Sequence, residues 1–137
     1  MPVTVHEFKN EFGKVYCKML HLVNNQAIVL EWYGYSTKNQ VEAVTNWIDQ
    51  WCIQHPCITL VNDCTYIQSV WFDTIEWFTR IWVQKMIRHG LQRFVHIAKQ
   101  DSFGDRIGVQ LQKILADDVQ FYKFSLREEA INWLETN

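Results

Sequence analysis

Chemistry in a soluble chain is carried first by cysteine, histidine, carboxylates and hydroxyls, so their spacing is the starting point. The 137 residues hold four cysteines, Cys17, Cys52, Cys57 and Cys64, and no two form a Cys-x-x-Cys pair. Free cysteine packs as a small hydrophobe, and buried thiols are the expected reading, with no disulfide framework. The five histidines, His6, His21, His55, His89 and His96, are scattered, and none pairs with a second ligand at the helical spacing that puts two on one face. Cys52, His55 and Cys57 are close in sequence but separated by the His55-Pro56 helix stop. A zinc site needs four converging ligands, so no metal and no cofactor is expected. Cys64 as a nucleophile needs a neighbouring histidine to lower its pKa, and the sequence nominates none, so the chain reads as a non-enzyme.

Three residues remain as a candidate ligand or partner loop. Asp63 follows a short apolar run, where α/β sheets place functional groups outside the carboxyl ends of their strands. Its ordinary alternative is an Asx turn. Ser69 and Thr74 are the hydroxyls that follow, and Ser69 reads most simply as a helix N-cap. In the segment Asp101-Ser102-Phe103-Gly104-Asp105-Arg106 a helix N-terminus offers free amides to an anion, but Asp101 and Asp105 repel one, so a cap anchored by Phe103 is the better reading.

The elements that must position these residues follow from periodicity. Residues 14–23 and 27–35 alternate as strands around Asn24-Asn25, a hairpin turn signal. Val41, Val44, Ile48, Trp51 and Cys52 mark a helix over about 39–54 that Ser36 or Thr37 can cap. Ile58-Thr59-Leu60-Val61 is a central strand, and a second helix runs from Ser69 or Val70 to His89, stopped by Gly90. Residues 91–98 form a strand, Asp101 or Ser102 caps a third helix, 119–124 is the last strand, and Ser125 with Glu128 forms a capping box for the final helix. The order is ββαβαβαβα: an α/β fold with a mixed β-sheet, an N-terminal antiparallel hairpin and four helices. There is no linker and no repeat, so residues 1–137 make one domain.

Hydrophobic residues are 48% of the chain, charged residues 20%, and the formal net charge is −2 with no cluster of Lys and Arg. Disorder and nucleic-acid binding are excluded on that basis. No leader pattern and no apolar run long enough to span a bilayer is present, which makes the cytoplasm the expected location. The oddity is aromatic: seven Trp and eight Phe. Projected at the α-helical angle, the second helix puts Trp71, Ile75, Phe78, Ile81, Trp82 and Met86 on one side and Trp77 beyond Ile81, an arc wider than one sheet face covers. Either a second copy of the chain covers the excess, with Trp77 and Ile81 at the interface, or the excess lines a cavity for an apolar ligand.

With Trp77-Phe78 and Trp82, Arg88-His89-Gly90-Leu91, Asp101-Ser102-Phe103-Gly104 and the closing run from Phe124 to Leu134, the chain resembles the STAS superfamily. That superfamily covers sulfate-transporter domains and anti-sigma-factor antagonists with the SpoIIAA-like fold. The resemblance is nearest to stand-alone bacterial STAS/SEC14-like proteins of the Bacteroidetes type and spans nearly the whole chain. It implies a SpoIIAA-like fold and a non-enzymatic regulatory or protein-interaction role, as a homodimer or with a regulatory protein. The SEC14-like branch implies a small apolar ligand or lipid carrier as the alternative. In the antagonists an Asp leads to a phosphorylated Ser followed by Gly. Asp63 matches that Asp, but the residues from Cys64 to Thr74 lack the Asp-Ser-Ser-Gly segment, so no phosphorylation switch is expected at Ser69 or Thr74.

Overall fold

The computed structural model describes residues 2–137. Six strands, β1 (Val3–Lys9), β2 (Val15–Leu22), β3 (Ala27–Gly34), β4 (Thr59–Ile67), β5 (Arg93–Ile97) and β6 (Gln120–Phe124), form one mixed sheet in sequential order. β1–β2 and β2–β3 pair antiparallel, and β3 through β6 pair parallel. The helices are α1 (Lys38–Trp51), α2, α3 (Phe103–Leu115) and α4 (Arg127–Thr136). α2 is one continuous helix built of Ile75–Trp77, a π-helical stretch Phe78–Val83, and Gln84–Arg88. The α/β architecture, mixed sheet and four helices match the sequence reading. The order gains one strand, β1, ahead of the expected hairpin.

Parallel crossovers that all step the same way, each right-handed, place their helices on one face of the sheet. α1, α2 and α3 therefore pack together over Ile28, Leu30, Trp32, Leu60 and Phe94. α4 alone covers the other face, where Ala130 and Leu134 meet Val29, Val61, Val95 and Ile97. Alternation along each strand divides the side chains between these layers.

Local chemistry sets the ends of the elements. Thr37 caps α1 in a reciprocal box with Gln40, its hydroxyl accepting the Gln40 amide at 3.2 Å while the Gln40 side chain accepts the Thr37 amide at 2.9 Å. Gly90, at φ +111°, ends α2 as expected, with the Leu91 amide reaching back to the Met86 carbonyl at 2.9 Å. Ser102 caps α3 through the Asp105 amide at 3.2 Å. The expected Ser125–Glu128 box does not form: α4 starts from Leu126 without a side-chain cap. In the hairpin the left-handed residue is Gln26, at φ 49°, after a short 3-10 turn Val23–Asn25, not one of the asparagines.

α2 departs furthest from expectation. It begins at Ile75, not at Ser69 or Val70, and the π stretch takes an extra residue into its turn. That insertion rotates everything beyond it relative to a regular helix. Thr79 is buried, with its hydroxyl donating to the Ile75 carbonyl at 2.7 Å, and Phe78, Trp82, Val83 and Met86 form the core stripe. Ile81, which regular spacing puts on the same side as Phe78 and Trp82, is turned out to solvent at 58% exposure.

Candidate functional site

The three loop candidates do not converge. Asp63 lies within β4, which runs on to Ile67, and is in register with Glu31 on β3 and Ile97 on β5. It shares a face with Val61, so it belongs to the α4 layer. Its Oδ1 accepts the Thr65 amide at 3.0 Å and the Thr65 hydroxyl at 2.5 Å. Burial raises its carboxyl pKa, and the two Thr65 bonds pull the other way. The neighbouring Glu31 pairs with Arg127 of α4 and accepts the Tyr33 hydroxyl at 2.9 Å.

Ser69 and Thr74 sit instead in the turn that leads into α2. Ser69 is not an N-cap: its Oγ accepts the amide of Trp71 at 3.1 Å, two residues on, within a turn where Trp71 has φ 55°. The buried Trp71 indole donates to Ser36 Oγ at 3.1 Å and meets Trp32 edge-on at 4.9 Å. Thr74 is fully buried, and its hydroxyl donates to Asp73 at 3.3 Å. A phosphate on either hydroxyl adds about two negative charges to a buried position. Phosphopeptide mapping of the protein from its native host is therefore expected to find neither Ser69 nor Thr74 modified stoichiometrically. A stoichiometric phosphate on either would contradict this.

Under α3 lies a polar cluster that sequence reasoning did not assemble. Trp32 Nε1 donates to Asn62 Oδ1 at 2.8 Å, and Asn62 Nδ2 lies 3.4 Å from both Cys64 Sγ and His96 Nδ1. His96 Nε2 lies 2.8 Å from the Gly104 carbonyl. A carbonyl only accepts, so Nε2 carries the proton and Nδ1 receives the Asn62 amide. Burial lowers the His96 pKa to about 4, so the ring is neutral near pH 7. The glycines of α3 make this closeness possible: a Cβ at Gly104 would stand 2.4 Å from the Cys64 carbonyl oxygen, and one at Gly108 would stand 2.6 Å from the His96 ring. All four cysteines are free thiols, and burial raises the pKa of each. Among the described residues no group of three or more His, Cys, Asp or Glu is arranged to hold a metal ion.

The remaining candidate surface is the outside of α2 and the turn before it. Most of the aromatic excess is spent inside: Trp32, Trp71, Phe78, Trp82 and Phe94 meet ring to ring. Trp47 stacks on His6, Trp51 on His55, and Trp133 packs on Tyr122. Trp77 alone among the seven tryptophans has no ring partner among the described residues; it rests half-buried against the main core. One turn on is the exposed Ile81, and Arg80, Lys85 and Arg88 of the same helix are exposed as well. Phe72, 95% exposed, projects from the turn next to hollows on either side. One hollow, toward Tyr35 and Phe103, lies at the carboxyl ends of β3 and β4. The other lies between α2 and α3.

Comparisons with protein-family models, with curated proteins and with solved structures find no match to this chain. Its class is that of an α/β protein with a six-stranded mixed sheet and four helices. No helix among the described residues is long and apolar enough to cross a membrane.

Proposed function

We propose that this chain is a non-enzymatic interaction module of the STAS type, working as a homodimer through the outward face of α2. The observation that carries the proposal is the position of Trp77, a half-buried ring without an aromatic partner beside the exposed Ile81. Tryptophan and arginine are where binding energy concentrates, and the exposed Arg80 lies three residues from Trp77 on the same helix. The mixed sheet and four helices agree with what the STAS resemblance implies. His96 is committed to Gly104 and Asn62, and Cys17, Cys57 and Cys64 lie buried. A regulatory protein is the other partner the resemblance implies, and Tyr35, Phe72 and Phe103 at the carboxyl ends of the strands offer it a separate aromatic surface.

Truncating an anchor tryptophan costs about 2 kcal/mol or more of binding free energy. Trp77→Ala is therefore expected to weaken self-association roughly thirtyfold in a titration of fluorescently labelled chain with unlabelled chain. Circular dichroism of the variant is expected to stay that of the folded protein. Unchanged association would remove Trp77 from the interface.

A second reading, an apolar-ligand carrier, is favoured by the hollow between α2 and α3. That hollow lies beside the aromatic helix, since beneath it the rings fill the space themselves.

A further inference from the structure

The hollow between α2 and α3 is an open-sided trough of about 570 Å3, within the size range of small-molecule sites. Its walls are apolar through Val70, Phe72 and Ile75 on one side and Val109 and Ile114 on the other. Two polar side chains of α3 line it as well, Arg106 and Gln110, one helical turn apart and so on the same face. Arg106 is exposed, and the ion pairs among the described residues are made by Lys18, Arg80, Lys85 and Arg127, not by it. The acid on the opposite wall, Glu76, is already paired with Arg80 at 2.6 Å. The Arg106 guanidinium rests 6.0 Å from the Phe103 ring and makes no ion pair among the described residues; with an amide donor beside it, at the edge of an apolar trough, it matches a carboxylate head followed by an apolar body.

We propose that this hollow binds a small monoanionic amphiphile, its carboxylate on Arg106 and Gln110 and its apolar body along Phe72, Ile75, Val109 and Ile114. The assignment rests on the carrier reading, for which it names the ligand class.

Three twelve-carbon probes with different heads test it by isothermal titration calorimetry, with the protein in the cell and each probe kept dilute: dodecanoate and dodecyltrimethylammonium below their micelle concentrations, and dodecanol below its solubility limit. Dodecanoate is expected to bind saturably and at least about tenfold more tightly than the other two, the discrimination of one charge-assisted contact. Arg106→Gln, on an exposed side chain, is expected to remove that preference by weakening dodecanoate much more than dodecanol. Phe72→Ala is expected to weaken all binding. Equal affinity for dodecanol and dodecanoate, a preference for the cationic probe, or an Arg106→Gln variant that still prefers dodecanoate overturns the carboxylate assignment and leaves the carrier reading standing. No saturable binding of any probe removes both.

Discussion

Gly104→Ala is expected to be among the most damaging single substitutions in the chain, although alanine is the better helix former. Propensity alone favours the change by about 1 kcal/mol. Against it, the added Cβ would stand 2.4 Å from the Cys64 carbonyl oxygen and 2.9 Å from the Cys64 Cβ. The first of these is backbone of a central strand and has no rotamer to escape into. α3 must lift away from β4, and the His96 to Gly104 hydrogen bond at 2.8 Å lengthens with it. Overpacking of this kind costs about 3 kcal/mol, and losing the partner of a buried imidazole adds about 1 kcal/mol or more. Urea unfolding of the variant is expected to show a net loss of about 3 kcal/mol. Stability equal to or above the wild type would mean that α3 does not sit this close to the sheet.

Acid is expected to loosen the same place. The His96 ring is neutral in the fold, with its pKa lowered to about 4 by burial and by nearby Lys123, while the Gly104 carbonyl and Asp105 work in the opposite sense. A lowered folded-state pKa means that the unfolded chain binds the proton more readily. The stabilisation is whole above the unfolded value near 6.5 and is lost as pH falls toward 4. The gap corresponds to about 3 kcal/mol. His21, lowered by burial and by His55, acts in the same direction. The urea midpoint is thus expected to fall steeply between neutral pH and pH 4.5. His96→Gln, which keeps a donor for the Gly104 carbonyl, is expected to be less stable at pH 7 but to lose much less on acidification. A variant with the wild-type slope would place the titration elsewhere.

Helices α1 and α3 are legible because their apolar positions keep one period, and strands β2, β3, β5 and β6 because alternating or continuous β-branched and aromatic runs stand between turn signals. β1 was not: irregularities at Thr4/His6 and Phe8/Lys9 break its alternation, so Val3, Val5 and Phe8 do not fall on a period of two. β4 was read short because Asn62 and Asp63 resemble turn residues. In the sheet each finds its partner, the indole of Trp32 for one and Thr65 for the other. Partners that far apart in sequence, 30 residues for Trp32 and Asn62, leave no local signal. The His96 cluster was invisible for the same reason, although the two glycines four apart in α3 were a hint of close packing. Regular spacing puts Ile81 on the same side as Phe78 and Trp82, whereas the π stretch changes the angle per residue and Ile81 faces solvent. Its neighbour Trp77 was placed at the edge of the apolar arc, and it stands there in the structure, half-buried.

Sedimentation equilibrium of the unmodified chain, from micromolar to hundreds of micromolar, tests the interaction-module account most directly. The weight-average mass is expected to climb from one chain toward two, with the Trp77→Ala protein reaching the same point only at roughly thirtyfold higher concentration. A wild type that remains a single chain throughout that range would contradict it.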